Sequence, residues 1–170
     1  MAREKKTAKK KAKTPPKKQR VTLHDRLVRW FWRIVAVVFL FAVLVVLLGR
    51  FFNPPTNIYM FSESRRLGGV TQTWVPMAQI APAMARSAVA AEDANYCQHW
   101  GFDVNAIRQA IDEGGARGAS TITQQTVKNV YLWHGRLWIR KAMEAFLTPL
   151  VEALWTKERI LEVYLNVAEF

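Results

Sequence analysis

Between Trp30 and Gly49 the chain reads WFWRIVAVVFLFAVLVVLLG, and from Ile34 to Gly49 it carries neither a charge nor a proline. A helix needs about 20 predominantly apolar residues to cross the hydrocarbon core of a bilayer, so this run predicts one membrane-spanning helix. Trp30, Phe31 and Trp32 form an aromatic belt at one end. Arg33 sits close enough to that end for its stem to snorkel toward the lipid heads, and Arg50 closes the other end. A cleavable signal would have a shorter apolar region and small residues at its cut site. The sequence Arg50-Phe51-Phe52-Asn53-Pro54-Pro55 that follows instead favours an anchor that is retained.

Beyond the span the pattern changes from continuous to periodic. Residues 50–73 read as a juxtamembrane linker, with a short extended piece around Ile58 to Phe61 and a turn at Gly68-Gly69. From Trp74 to Phe170 helical signals dominate. Pro82 suits the first turn of a helix that continues through the Ala-rich stretch from Met84 to Asp93. Val104 to Asp112 predicts a short helix ended by Gly114-Gly115, with a mobile loop over 114–118. Thr121 and Gln124 form a T-x-x-Q capping box, which starts a helix that runs to about Tyr131. Trp138 to Trp155 places Ile139, Met143, Phe146 and Leu150 on one face, and Pro149 is expected to kink that helix or break it in two. Ile160, Tyr164 and Val167 repeat the helical period in the last segment. No alternating strand pattern appears, so the fold class is mostly α.

Charge sharpens this division. The formal net charge is +12, yet Met1 to Arg33 holds 13 Lys+Arg against Glu4 and Asp25, while the rest of the chain is close to neutral. A nucleic-acid-binding domain would carry its basic excess on the folded body, so nucleic acid is not an expected partner. A Lys-rich segment beside an apolar span fits a cytoplasmic flank drawn to anionic lipid. Residues 1–29 therefore read as a basic cytoplasmic tail, disordered from Ala2 to Arg20, and residues 30–49 as the anchor. Residues beyond Arg50 then lie outside the membrane. Cys97 stands alone, and His24, His99 and His134 show no zinc-ligand spacing.

The chemistry-bearing candidates are carboxylates and a polar helix start. There is no G-x-S-x-G, no S-x-x-K and no nucleotide-binding glycine fingerprint. Glu92-Asp93 closes the small apolar run Ala88 to Ala91, where partial desolvation would raise a carboxyl pKa toward the range of a general base. Taken alone, the pair reads equally as a surface helix end. Arg140, Lys141 and Glu144 share one helix face opposite Ile139, Met143 and Phe146, and in isolation read as a surface ion pair. Gly118 to Asn129 (GASTITQQTVKN) packs hydroxyls, amides and Lys128 into one helix start, a composition suited to a sugar or a phosphate.

Four ordered motifs carry a resemblance. Residues 92–101 (EDANYCQHWG) resemble E-D-x-x-F-x-x-H-x-G. Residues 118–129 resemble G-x-S-T-x-x-Q-Q-x-x-K-N, residues 140–144 (RKAME) resemble R-K-x-x-E, and residues 157–166 (KERILEVYLN) resemble K-x-x-I-L-x-x-Y-L-N. In this order they resemble the peptidoglycan glycosyltransferases of glycosyltransferase family 51, in particular the monofunctional biosynthetic type. Tyr96 stands where the family usually has Phe. The resemblance covers about Trp74 to Phe170 plus the anchor arrangement. It implies the N-terminal part of a lysozyme-like catalytic domain with a membrane-embedded jaw, its remaining helices and fifth motif following Phe170 in a longer parent.

The resemblance also implies a function: polymerisation of lipid II into β-1,4-linked glycan on the outer face of the bacterial cytoplasmic membrane, with release of polyprenyl pyrophosphate. Glu92 and Glu144 are then the catalytic candidates, Glu92 as the base. Asp93, Ser120, Thr121, Gln124, Gln125, Lys128, Asn129, Arg136, Arg140 and Lys141 are the substrate-binding candidates. Glu144 is the candidate ligand for a divalent magnesium or manganese ion. Lipid II, the growing glycan, the membrane and proteins of division or elongation are the implied partners. His99 is expected to fix the Glu92 loop, with Tyr164 and Asn166 as packing and helix-end residues. Two rival readings stay open. A glycan-cleaving lysozyme or lytic transglycosylase would also use a glutamate on a mostly α fold, but needs no cations for a pyrophosphate. A non-catalytic scaffold of the wall machinery would tolerate loss of Glu92 or Glu144.

Overall fold

The computed structural model describes residues 22–54, 58–69, 71–114, 118–133, 135 and 137–168, with the backbone alone at 58, 59, 62 and 63. The basic tail before Thr22, Gly115, Arg136 and His134 lie outside the described residues. Every regular element among the described residues is helical.

The chain divides into two compact units, residues 1–37 and 38–170. The described part of the first unit is the start of helix α1 (Leu23–Phe51), which continues into the second. Thr22 and Asp25 cap α1 reciprocally: the Thr22 N–H donates to Asp25 Oδ2 at 2.9 Å and the Asp25 N–H to Thr22 Oγ1 at 3.2 Å. At 29 residues, α1 is about 43 Å long. It is long and apolar enough to cross a membrane.

Within the second unit, α2 (Ile58–Leu67) replaces the extended piece expected around Ile58 to Phe61. Ile58 and Tyr59 favour a strand locally, but no strand among the described residues is available to pair with them, whereas at the start of a helix their carbonyls accept bonds from within the segment. Arg65 lies over the Phe61 ring one turn earlier, at 4.5 Å. Gly68, at φ 77°, ends this helix as the Gly-Gly turn signal predicts.

A 3-10 turn (Met77–Gln79) leads into α3 (Pro82–Glu92), α4 (Val104–Asp112), α5 (Ile122–Tyr131), α6 (Trp138–Leu154) and α7 (Lys157–Val167). The caps explain these boundaries. Pro82 occupies the first turn of α3. Asp103 Oδ1 accepts from the N–H groups of Asn105 and Ala106 at the start of α4. Hydrogen bonding to the Ala106 N–H, then to the Asn95 side chain and to the Asn105 N–H, holds the Asp103 carboxyl below the ordinary aspartate range. Thr121 and Gln124 complete the capping box of α5, and Thr156 caps α7.

Helix α5 sits at the centre, packed against α6 and α7. Ile122, Val127, Val151, Ile160 and Val163 are completely buried between them. Hydroxyls within this core are satisfied locally: Thr126 Oγ1 donates to the Ile122 carbonyl at 2.9 Å and Thr148 Oγ1 to the Glu144 carbonyl at 2.7 Å. Pro149 does not break α6, which runs on as one helix. Leu147, Thr148, Val151 and Glu152 on both sides of the proline are buried, and their packing offsets the single backbone bond that proline removes.

The polarity of α6 is the reverse of the simple amphipathic expectation. Glu144 and Leu147 face inward, whereas Ile139 is 63% exposed and Phe146 48% exposed. The charged face is thus the inner one over the first half of the helix, and the apolar face looks outward.

Gly101 marks the tightest approach near α6. Its φ is +83°, and an added Cβ would lie 2.6 Å from Thr148 Cγ2 and 3.0 Å from Glu152 Cγ. Gly101→Ala is expected to destabilise the body by about 2–5 kcal/mol, combining left-handed backbone strain with overpacking. Equilibrium denaturation in detergent checks this; an unchanged midpoint would mean that the neighbouring helices yield freely.

Candidate active site

The site is assembled where the end of α3 meets the start of α5. Glu92 is the last residue of α3 and Asp93 its C-cap. The desolvation expected of the Glu92-Asp93 pair falls on Asp93 alone: Glu92 is exposed and Asp93 is buried. The reason lies in what each carboxylate touches. Asp93 Oδ2 accepts the N–H of Ile122, the first helical residue of α5, at 3.0 Å. That N–H has no partner inside its own helix, and the positive end of the helix dipole favours a carboxylate there. Asp93 Oδ1 pairs with His99 Nε2 at 2.8 Å. Glu92 points the other way, where its Oε2 accepts from Gln125 Nε2 at 2.8 Å.

Several residues assigned to substrate from the sequence are engaged in building this junction. Thr121 Oγ1 donates to the Gly101 carbonyl at 2.7 Å and accepts the Gln124 N–H at 3.2 Å. Gln124 Oε1 takes the Thr121 N–H at 3.1 Å. Asn129 is buried and lines neither cavity described below; its Nδ2 reaches the Val167 carbonyl at 3.5 Å. Arg136 lies outside the described residues.

Two cavities share Ser120 and flank the Glu92–Gln125 pair. One, of about 270 Å³, is lined by Ser120, Gln124, Gln125, Lys128, Arg140, Lys141 and Glu144. The other, of about 210 Å³, is lined by the stretch from Ala90 to Asn95, by Asp103, Asn105, Ala106 and Gln109, and by the stretch from Gly118 to Thr121. The first contains three cations and one carboxylate. Among the described residues, the second is lined by carboxylates, amides and two hydroxyls and by no cation; the neighbouring Arg117 lies outside the described residues.

Glu144 is buried, which overturns its reading as a surface ion pair. Arg140 Nη1 donates to Glu144 Oε2 at 2.9 Å, and Lys141 Nζ donates to Oε1. A carboxylate this far from water must be paired, and its pairing fixes where the two cations point. As a metal ligand it does not fit: both oxygens are engaged, and no second carboxylate lines that cavity among the described residues. Asp93, His99 and Asp103 bring ligand atoms within 4.8 Å of one another. Their carboxylates are nonetheless taken up by Ile122, His99, Asn95 and the start of α4. No step below is routed through a metal.

The expectation for His99 holds in its geometry, but sequence reasoning missed what lies behind it. Lys157 Nζ donates to the His99 carbonyl at 2.9 Å and to Glu152 Oε1 at 2.8 Å, and it lies over the Tyr96 ring at 4.5 Å. Tyr96 OH returns a bond to the Lys157 carbonyl at 2.8 Å. Burial, then the charges of Glu152 and Asp93, push the Tyr96 phenol well above its usual range. Glu152 Oε1 also accepts from Thr123 Oγ1 at 2.6 Å. The loop after Glu92 is thereby tied to α5, α6 and α7 together. The only sequence signal for Glu152 was a charge inside a helical apolar run. Tyr164 is buried in the core, as a packing role requires, and burial and then the charge of Glu92 raise its phenol above its usual range. Asn166 holds the approach to α3, accepting the Val75 N–H at 2.8 Å and donating to the Val75 carbonyl at 2.9 Å.

The sequence model of the Transglycosylase family matches residues 61–170. The chain is 68% identical over 116 residues to the biosynthetic peptidoglycan transglycosylase of Jannaschia sp. (strain CCS1), an alignment covering 68% of this chain and 48% of that protein. It is 43% identical over 155 residues to the protein of that name from Yersinia pseudotuberculosis serotype O:3 (strain YPIII), covering 83% of this chain and 64% of the relative. Against the Caulobacter vibrioides protein of that name it is 46% identical over 132 residues, covering 75% and 58%. The chain thus spans between about half and just under two thirds of the length of these relatives. With the family match extending over well more than half of its length, this chain belongs to the Transglycosylase family.

Proposed function

We propose that this chain carries the catalytic centre of a peptidoglycan glycosyltransferase that polymerises lipid II at the outer face of the bacterial cytoplasmic membrane. The observation that carries the reading is the position of Glu92: an exposed carboxylate, held by Gln125, beside a cavity that gathers Lys128, Arg140 and Lys141. The names of the relatives agree with it.

The chemistry follows from that arrangement. The 4-hydroxyl of the acceptor N-acetylglucosamine attacks the anomeric carbon of the donor N-acetylmuramic acid. The new C–O bond forms as the bond to polyprenyl pyrophosphate breaks, and the configuration inverts from α to β. Glu92 takes the hydroxyl proton. The leaving pyrophosphate gains negative charge, which Lys128, Arg140 and Lys141 stabilise in place, with Arg136 as a further candidate. Glu144 acts by orienting Arg140 and Lys141. Ser120 and Gln125 are the polar contacts best placed for sugar and phosphate edges. Asp93, Thr121 and Gln124 act as supports for Glu92 and the start of α5. Glycan cleavage has no use for the cationic cavity.

The membrane setting is supported by α1 and by the outward apolar face of α6. Trp138 is 89% exposed, and the Phe146 ring meets Phe39, near the middle of the apolar span, with centroids 6.2 Å apart. An apolar face of this kind suits lipid rather than water. The N-terminal charge excess supports an orientation with the tail in the cytoplasm and the body outside.

Three outcomes are expected. In detergent, with the chain extended as in its longer relatives where needed, Glu92→Gln lowers lipid II polymerisation by about 10²–10⁴-fold with folding intact. Equal rates in the two proteins would remove Glu92 from the mechanism, and digestion of finished glycan by the parent would favour the cleaving enzyme. Lys128→Met lowers the rate constant by about 10²–10³-fold, as single-turnover kinetics would measure; a change confined to KM would assign Lys128 to ground-state binding. Cys97, the sole and exposed cysteine, reacts with a membrane-impermeant maleimide added to intact spheroplasts. Labelling only after lysis would reverse the assigned topology.

A further inference from the structure

The residues after Arg50 read as a linker, and a linker would leave the body free to ride at any height above the membrane. The structure closes that freedom with two arginines that cap each other's neighbouring helices. Arg159, on α7, reaches the C-terminus of α1, where the last carbonyls have no intrahelical partner. Its Nη2 donates to the carbonyls of Gly49 at 3.1 Å and Phe52 at 3.0 Å, and its Nε also reaches Gly49 O at 3.4 Å. Its Nη1 donates to Asn53 Oδ1 at 2.9 Å and Glu162 Oε1 at 2.6 Å. These five bonds use the whole donor set of a guanidinium. The indoles of Trp74 and Trp155 lie 5.4 and 5.8 Å from it. In return Arg50, on α1, donates to the carbonyl of Leu154, the last residue of α6, at 2.6 Å. Each cation sits at the negative end of a helix dipole.

The contact continues down α1. Trp155 Nε1 donates to the Val46 carbonyl at 2.7 Å. At Gly49 the helix comes so close that an added Cβ would lie 2.6 Å from the Trp155 ring and would also meet the Tyr131 hydroxyl. Val46 is 1% exposed, although the apolar span around it is largely bare. A tether alone needs none of this. Retention in a membrane requires only the apolar span, whereas full use of a guanidinium, an indole N–H and a glycine fixes one relative position.

We propose that Arg159 is a positioning residue that locks the body to the outer end of its membrane anchor, and that the lock sets the height at which Glu92 meets a substrate whose lipid remains in the bilayer. This rests on the reading of α1 as a membrane span and of the substrate as lipid-linked. Arg159 touches neither cavity. Its effect therefore depends on whether the substrate's own depth is fixed, and this separates it from a general contribution to folding.

The test compares two substrates sharing one disaccharide-peptide pyrophosphate: one on a long polyprenyl chain in liposomes, the other on a short chain soluble in water. Arg159→Met is expected to lower the rate on the liposome substrate by about tenfold or more, since small misplacements of reacting groups are costly. Its rate on the soluble substrate should stay within about twofold of the parent's. Arg159→Lys should not rescue it, because an ammonium cannot form the same planar set of bonds. Equal losses on both substrates, or no loss on either, would overturn the lock. A second readout is independent of activity. A fluorophore on Cys97, with energy acceptors at the bilayer surface, should report one narrow height for the parent and a broadened distribution for Arg159→Met. An unchanged distribution would overturn the lock. A parent that makes no polymer but shows the broadening on substitution would sink the functional reading and leave the lock standing.

Discussion

Asp93 holds the site together because its carboxylate sits where three elements have something to satisfy. The first N–H of α5 needs an acceptor, the His99 ring needs a partner, and α3 needs a defined end. A buried carboxylate is costly unless its bonds are complete, and here completing them draws the end of α3 onto the start of α5. Glu92 and Gln125 are then brought within hydrogen-bonding distance on the open side of the same junction. The catalytic candidate is thus exposed because its neighbour is buried.

Behind the junction, Lys157 and Glu152 form a pair with side chains 28% and 2% exposed. Breaking a buried ion pair by removing one partner typically costs about 3–5 kcal/mol, whereas replacing the whole pair by apolar groups is often neutral. Stability alone therefore gives little reason for the pair. Its geometry gives a better one: Lys157 ties the His99 backbone to α7, and Glu152 ties α6 to Thr123 of α5. Glu144 follows the same principle inside the cationic cavity, where its burial obliges Arg140 and Lys141 to stay pointed at it. Under the proposed function, charges held in advance would need no reorganisation as negative charge develops on the leaving group.

The inverted polarity of α6 belongs with this arrangement. In water, a helix with Trp138, Ile139 and Phe146 outward and Glu144 inward would be a poor solution. Beside a membrane the same helix places its cations over a polar cavity and its apolar side toward lipid. Under the proposed function, one helix would then serve the two ends of an amphiphilic substrate.

What the sequence determined by itself is what short-range physics controls. The bounds of α3, α4, α5 and α7 were legible because Pro82, Gly114-Gly115, the Thr121–Gln124 box and the Ile160–Tyr164–Val167 period are signals that act within a few residues of themselves; the caps at Asp103 and Thr156 came only with the structure. The apolar span and the charge asymmetry around it were legible because they are sums along the chain. The tertiary structure decided which face of α6 turned inward, which of Glu92 and Asp93 was buried, and that α2 became a helix. It also decided that Pro149 left α6 whole, and that Glu152, Lys157 and Arg159 became structural joints. Each of these depends on partners dozens of residues away, such as the 110 positions separating Gly49 from Arg159. Residue spacing along one helix fixes which side chains share a face, but only the packing of other helices and the lipid environment fixes which face is inside.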